Sequence, residues 1–148
     1  MWNEIKNESD IECFLERVNN FHDSCIKEIS YVSGAYTDEK LSMYPINNQR
    51  TLNIIIQRQY DKDSVIEMQF DSLKYLKLNP IDVDYTCEIS GCSMLAKDGL
   101  IYWSDEEDLT KPDDFDECQG TAVCASNIRW RVLKNCLGNA VIYKNSMS

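Results

Sequence analysis

Ser24-Cys25-Ile26-Lys27-Glu28-Ile29-Ser30-Tyr31 is the stretch on which the fold reading turns. Before it the apolar residues recur at helical spacing. From Ser24 onward they alternate with polar ones, which is the period of a strand with two unlike faces. Cys25, Lys27, Ile29 and Tyr31 fall on one side, and Ile26, Glu28 and Ser30 on the other. The same period returns in Leu52-Asn53-Ile54-Ile55-Ile56-Gln57, in Val65–Phe70, and in a short run at Tyr75–Leu78. It returns again in Thr86–Ala96 and Leu100–Ser104, which flank Asp98-Gly99, a dipeptide suited to a two-residue hairpin turn. Thr121–Val132 is the last strand, with Ile128, Trp130 and Val132 on one face and Asn127, Arg129 and Arg131 on the other. Gly34–Asn48 reads as a long connection.

Upstream of Ser24, Ile11, Phe14, Leu15 and Val18 form one apolar stripe at helical spacing. Ser9-x-x-Glu12 has the form of a capping box, Asp10 and Glu12 suit the positive end of the helix dipole, and Asn19-Asn20 is a natural stop. No stretch of helical length separates the later strands, so a parallel sheet with crossover helices is not expected. The expected fold is α+β: one N-terminal helix packed on a largely antiparallel, mostly meander sheet of about six strands. One face of that sheet is covered and the other wet. At 148 residues the chain fits one domain, residues 1–148.

Composition narrows the function. The formal net charge is −10, and much of it is local. Asp105, Glu106, Glu107, Asp108, Asp113, Asp114, Asp116 and Glu117 stand against Lys111 alone, so this segment carries −7 and the rest of the chain −3. An acidic chain repels phosphate backbones and anionic bilayers, so neither nucleic acid nor membrane is an expected partner. There is no apolar run of membrane-spanning length and no basic-then-apolar leader, so a cytoplasmic location is expected. Seven cysteines, an odd number with no Cys-x-x-Cys pair, read as scattered thiols. A single histidine leaves a Cys/His metal site few ways to form. No metal and no cofactor are expected.

Three sets of residues could carry chemistry. The first is His22 and Asp23, followed by Ser24 and Cys25, which places an imidazole, a carboxylate, a hydroxyl and a thiol in succession. A nucleophile needs a base and the base an orienting group, but adjacent strand residues point to opposite faces. The plainer reading is that His22 and Asp23 satisfy free backbone groups where the helix ends. The second set is the acidic segment, which lacks the alternation and central Gly of an EF-hand. It is either a solvated loop or a surface for a basic protein partner. The third set is aromatic: Trp103 beside Tyr102, Trp130 between Arg129 and Arg131, and Tyr31, Tyr36, Tyr44 and Tyr60. These are either core and cross-strand pairs or a stacking surface. Arg129 and Arg131 could pair with the acidic segment.

The order of a capped helix, Phe21-His22-Asp23-Ser24 and Ile26-Lys27-Glu28-Ile29 resembles small uncharacterised bacterial proteins. These carry a Phe-His-Asp element between an N-terminal helix and the first strand of an antiparallel sheet. Some of that kind are grouped with immunity proteins, which bind and neutralise toxins. The resemblance covers roughly residues 10–35 and implies a cytosolic, non-enzymatic binding protein. The expected function is therefore a protein-binding module using the acidic segment and Trp103. The alternatives are a small enzyme centred on His22 and Asp23, or a carrier with a small-ligand pocket between helix and sheet.

Overall fold

A computed structural model describes residues 1–144. Strand β1 (Asn3–Ile5) precedes helix α1 (Glu8–Arg17), which is followed by β2 (Ser24–Val32), β3 (Tyr36–Thr37), β4 (Met43–Tyr44), β5 (Thr51–Arg58) and β6 (Val65–Lys77). Then come β7 (Ser93–Lys97), β8 (Leu100–Ser104), helix α2 (Pro112–Glu117) and β9 (Ala122–Val132). Seven strands form one antiparallel sheet in the order β2-β5-β6-β9-β8-β7, with β1 also paired to β9. The class is α+β, as the alternation and the missing crossover helices imply.

The helix starts two residues earlier than the Ser9 capping box predicts. Asn7 is the cap, its side-chain oxygen accepting from Asp10 N at 2.9 Å, and Asp10 accepts in turn from Lys6 N at 2.8 Å. Asn caps as well as Ser, and starting here leaves Ile5 free to pair with Ile128 in β1. Ile11 and Phe14 are buried, and Phe14 meets Phe21 at 5.6 Å and Trp130 at 5.0 Å between ring centroids. Downstream, Asp98 and Gly99 both take positive φ, 53° and 77°, as the predicted two-residue hairpin requires.

The meander expectation fails at β9. This strand lies between β6 and β8, so the β7–β8 hairpin is carried beyond it and the 78–92 connection spans the gap. The cause is length. The two stretches Val65–Phe70 and Tyr75–Leu78, expected as separate strands, are one 13-residue strand, and only β9 is long enough to satisfy its backbone. A β-bulge between Leu73 and Tyr75 lets it continue. The bulge keeps Leu73 and Leu76 against the α1-side core while Tyr75 packs on the opposite face. The 78–92 connection docks on β2, since Ser24 bridges Ile89 and Ile89 N donates to Ser24 O at 2.7 Å.

Both faces of the sheet are covered, contrary to the expectation of one wet face. On the α1 side lies the main core, including Phe14, Phe21, Ile54, Met68, Trp103 and Ile128. On the other side, at the β8 end, α2 lays Phe115 on Tyr102 at 5.3 Å. At the β2 end the chain after β9 returns across the sheet. Gln57 Nε2 donates to Cys136 O and Gly138 O at 3.0 Å each, and Ile142 N and Tyr143 N donate to the Glu28 carboxylate at 2.6 and 2.9 Å. Under this strap Glu67, 2 % exposed, is paired with Arg131 Nε at 2.7 Å and accepts from Asn53 Nδ2 at 3.2 Å and from the Tyr143 hydroxyl. Arg131 therefore belongs to this network, Arg129 Nε donates to Gln69 Oε1 at 2.7 Å, both face Trp2, at 4.3 and 4.5 Å, and neither pairs with the acidic segment.

Replacing Phe14 by Ala removes the side chain that joins α1 to Trp130 and to the Phe21 turn. Urea titration is expected to show unfolding free energy lower by about 3–5 kcal/mol, the usual range for a buried Phe. A loss within the scatter of surface substitutions would mean that α1 does not close the core.

Candidate functional site

The helix stop is a left-handed turn. Asn19, Asn20 and Phe21 have φ of 50°, 52° and 56°, and Asp23 has 57°. Non-glycine residues held there cost roughly 1–2 kcal/mol each, which the surroundings must offset. Burial of Phe21 against Phe14 and Trp103 does so, together with backbone bonds from His22 N to Asn19 O at 2.9 Å, Asp23 N to Ile89 O at 3.1 Å and Gln59 N to Asp23 O at 3.0 Å. The turn faces the His22 ring outward, with its side chain 53 % exposed.

His22 Nδ1 lies 2.9 Å from Ser90 O. A carbonyl can only accept, so Nδ1 carries the proton and Nε2 is the free acceptor of the neutral ring. Nε2 sits 3.6 Å from Asp23 Oδ1, beyond hydrogen-bond length. The same Ser90 donates its hydroxyl to Glu107 Oε1 at 3.2 Å. Two of the sequence-derived candidates are thereby joined. His22, Asn19, Asn20, Ser90, Glu107 and Asp108 border one polar hollow of ≈ 310 Å³. Gly91 permits the approach, because a Cβ there would stand 2.5 Å from Glu107 Oε2.

The nucleophile half of the enzyme reading finds little in this geometry. The Ser24 hydroxyl is buried and donates to His22 O at 3.3 Å. Cys92, on the wall of the hollow, is buried, and that burial pushes its thiol up to about 12. Burial also raises the Cys25 thiol above its ordinary value, with Cys87 adding to the shift. A reactive thiolate needs the opposite shift. The carrier reading meets a core that α1 and the strands share along the middle of the helix, with hollows at its two ends, beside Ile5–Glu8 and beside Arg17.

The acidic segment is built into the fold. Asp105 accepts from Thr121 N at 2.8 Å, and burial raises its carboxyl above the usual range despite that bond. Glu106 accepts from Gln119 N at 3.2 Å, while its carbonyl takes the Ser93 hydroxyl at 2.7 Å. Lys77 Nζ reaches the backbone carbonyls of Asp116 and Cys118 at 2.6 and 3.1 Å. Asp114 accepts from Thr110 N at 2.9 Å, from the Thr110 hydroxyl at 3.3 Å and from Lys111 N at 3.2 Å, which starts α2 in what reads from sequence as loop. Glu107, Asp108, Asp113, Asp116 and Glu117 are exposed. Among the described residues, none of the eight acids forms an ion pair with Lys or Arg. Trp103, expected at this surface, is fully buried and packs on Phe21 at 6.4 Å, so it shapes the core and not the contact.

Sequence reasoning missed Ser90 and Gly91. Both fall in Thr86–Ala96, expected as one strand, whereas β7 starts only at Ser93 and leaves Ser90 and Gly91 in the connection before it. No protein-family model, curated protein or solved structure matches the chain.

The Asp114 carboxyl is held below its ordinary range, first by the Thr110 amide. A depressed carboxylate contributes stability above its unfolded pKa, about 3.9, and that contribution is lost as pH falls through the lower folded value. Asp114→Asn is therefore expected to lower the urea midpoint at pH 6, with the gap to wild type closing as pH falls below the ordinary carboxylate range. A gap that stays constant with pH would remove the charge from this account of the α2 cap.

Proposed function

We propose that this chain is a non-enzymatic protein-binding module of the cytosol, immunity-like in kind, whose acidic segment and adjoining His22 hollow hold a basic protein partner. The observation that carries the reading is the pairing of rigid anchoring with unneutralised charge. Asp105, Glu106 and Asp114 spend their carboxylates on backbone amides, while Glu107, Asp108, Asp113, Asp116 and Glu117 stand exposed without a cationic partner among the described residues. A mobile acidic loop would have to be ordered on binding. A pre-formed one avoids that cost, and clustered charge of one sign speeds encounter and rejects acidic competitors. The hollow bordered by Glu107, Asp108 and two Asn side chains has room and acceptors for a Lys or Arg side chain. Residues 10–35 also resemble small uncharacterised bacterial proteins, some of which are grouped with immunity proteins.

The test is affinity capture from the native host's lysate at low and high salt. Wild type is compared with a variant carrying Asp108→Asn, Asp113→Asn, Asp116→Asn and Glu117→Gln, after both are shown to melt alike. A basic protein is expected to be retained by wild type at low salt, to be released at high salt, and to be lost by the variant. Retention that ignores both salt and the four substitutions would refute the acidic contact.

A further inference from the structure

Arg58, the last residue of β5, is out of place in a chain of this charge. It is only 6 % exposed. Its Nη1 donates to Lys62 O at 3.3 Å and to Asp63 O at 2.7 Å, which holds the β5–β6 turn. Its Nε is buried with no hydrogen-bond partner. Among the described residues no carboxylate forms an ion pair with it. The guanidinium lies 4.4 Å over the Tyr60 ring, a weak substitute for a counter-charge. A buried cation lacking an anion is costly, and arginine does not escape the cost by losing its proton.

The surroundings supply more donors. Arg58 lines a hollow of ≈ 550 Å³ together with Arg17, Lys62, Tyr60 and Asn19. Asn19 Nδ2 donates to the Tyr60 hydroxyl at 2.9 Å, so that hydroxyl keeps its own proton to give. Two carboxylates also line the hollow, Asp61 and Asp63, and Asp63 is already engaged by Arg17 Nε at 3.1 Å. Three cations against two carboxylates leave this hollow positive within a protein of net charge −10. Burial pushes the Arg58 pKa down, with Tyr60 and Asp63 acting against that shift.

We infer that the hollow between α1 and the β5–β6 turn is a binding site for the anionic group of a small ligand, a phosphate or a carboxylate. Arg58 and Lys62 supply the charge and the Tyr60 hydroxyl a directed donor. The site is separate from the acidic segment and does not depend on its role. Charge-assisted bonds to Arg and Lys recognise either group, and a tetrahedral phosphate can engage more of the donors at once.

The full chain is titrated calorimetrically, and its thermal unfolding followed, with sodium phosphate and with sodium acetate against sodium chloride at equal ionic strength. Arg58 is left intact because its donors also hold the turn. Lys62→Gln and Tyr60→Phe remove a surface charge and a hydroxyl, and both are first shown to unfold within a few degrees of wild type without added anion. A saturable response to phosphate or acetate, weakened about tenfold by each variant, is expected, as for loss of one bond to a charged group. The anion with the tighter response identifies the ligand's group. A response that chloride reproduces, no saturable response, or affinity unchanged in both variants would overturn the site and leave Arg58 as a clamp on its own turn.

Discussion

The antiparallel pairing of β6 with β9, from Ile66↔Val132 to Lys77↔Ala122, is the constraint on which the other elements depend. Two long strands satisfy each other's backbone across most of the sheet. Each then offers its remaining edge, β6 to β5 and β9 to both β8 and β1. A one-residue slip in such a pair would send every apolar side chain to the wrong face, so the register is under strong selection by burial. The bulge between Leu73 and Tyr75 is where that register shifts. Because of it, one strand serves the α1-side core along most of its length and still gives Tyr75 to the α2-side cluster.

That double use explains the distribution of charge. A sheet with both faces covered has little room for carboxylates within it. Glu67 is buried there and takes Arg131, Asn53 and Tyr143 as partners. Eight of the 25 acids collect where the β8–β9 connection leaves the sheet, held by Phe115 below and by Lys77 at the backbone. The docking of Ile89 on Ser24 brings this connection beside the left-handed turn at His22. An acidic surface and a positive hollow around Arg58 thus lie on one small protein, each set by a different connection.

Much of the fold was legible in local pattern. The α1 stripe, the alternation in β5 and β9 and the Asp98-Gly99 turn each report a preference of the backbone or a burial period, and those act over a few residues. In β2 the strand was legible but its faces were not, because a bulge between Ile26 and Glu28 puts Ile26 and Ile29, read on opposite faces, against the same core. The candidate site was legible only in pieces. His22 and Glu107 both drew attention, yet nothing in the sequence says that Ser90 binds one through its carbonyl and the other through its hydroxyl. Trp103 misled because an aromatic on an alternating strand can face either way, and only the cover of Phe21 decides it. Arg58 gave no signal at all, since its lack of an anion is a fact about its neighbours.

The sequence by itself determined the α+β class, the antiparallel sense of the sheet and the concentration of negative charge in residues 105–117. Periodicity, turn chemistry and composition are properties of neighbouring residues. Only the tertiary structure decided that β9 would lie between β6 and β8, that the strap at 133–144 would cover the second face, and that His22 would meet the acidic segment. Those outcomes depend on strand length, on the bulge between Leu73 and Tyr75 and on the docking of Ile89 against Ser24. They are set by satisfying backbone and burying side chains over the whole molecule, which no short window of residues encodes.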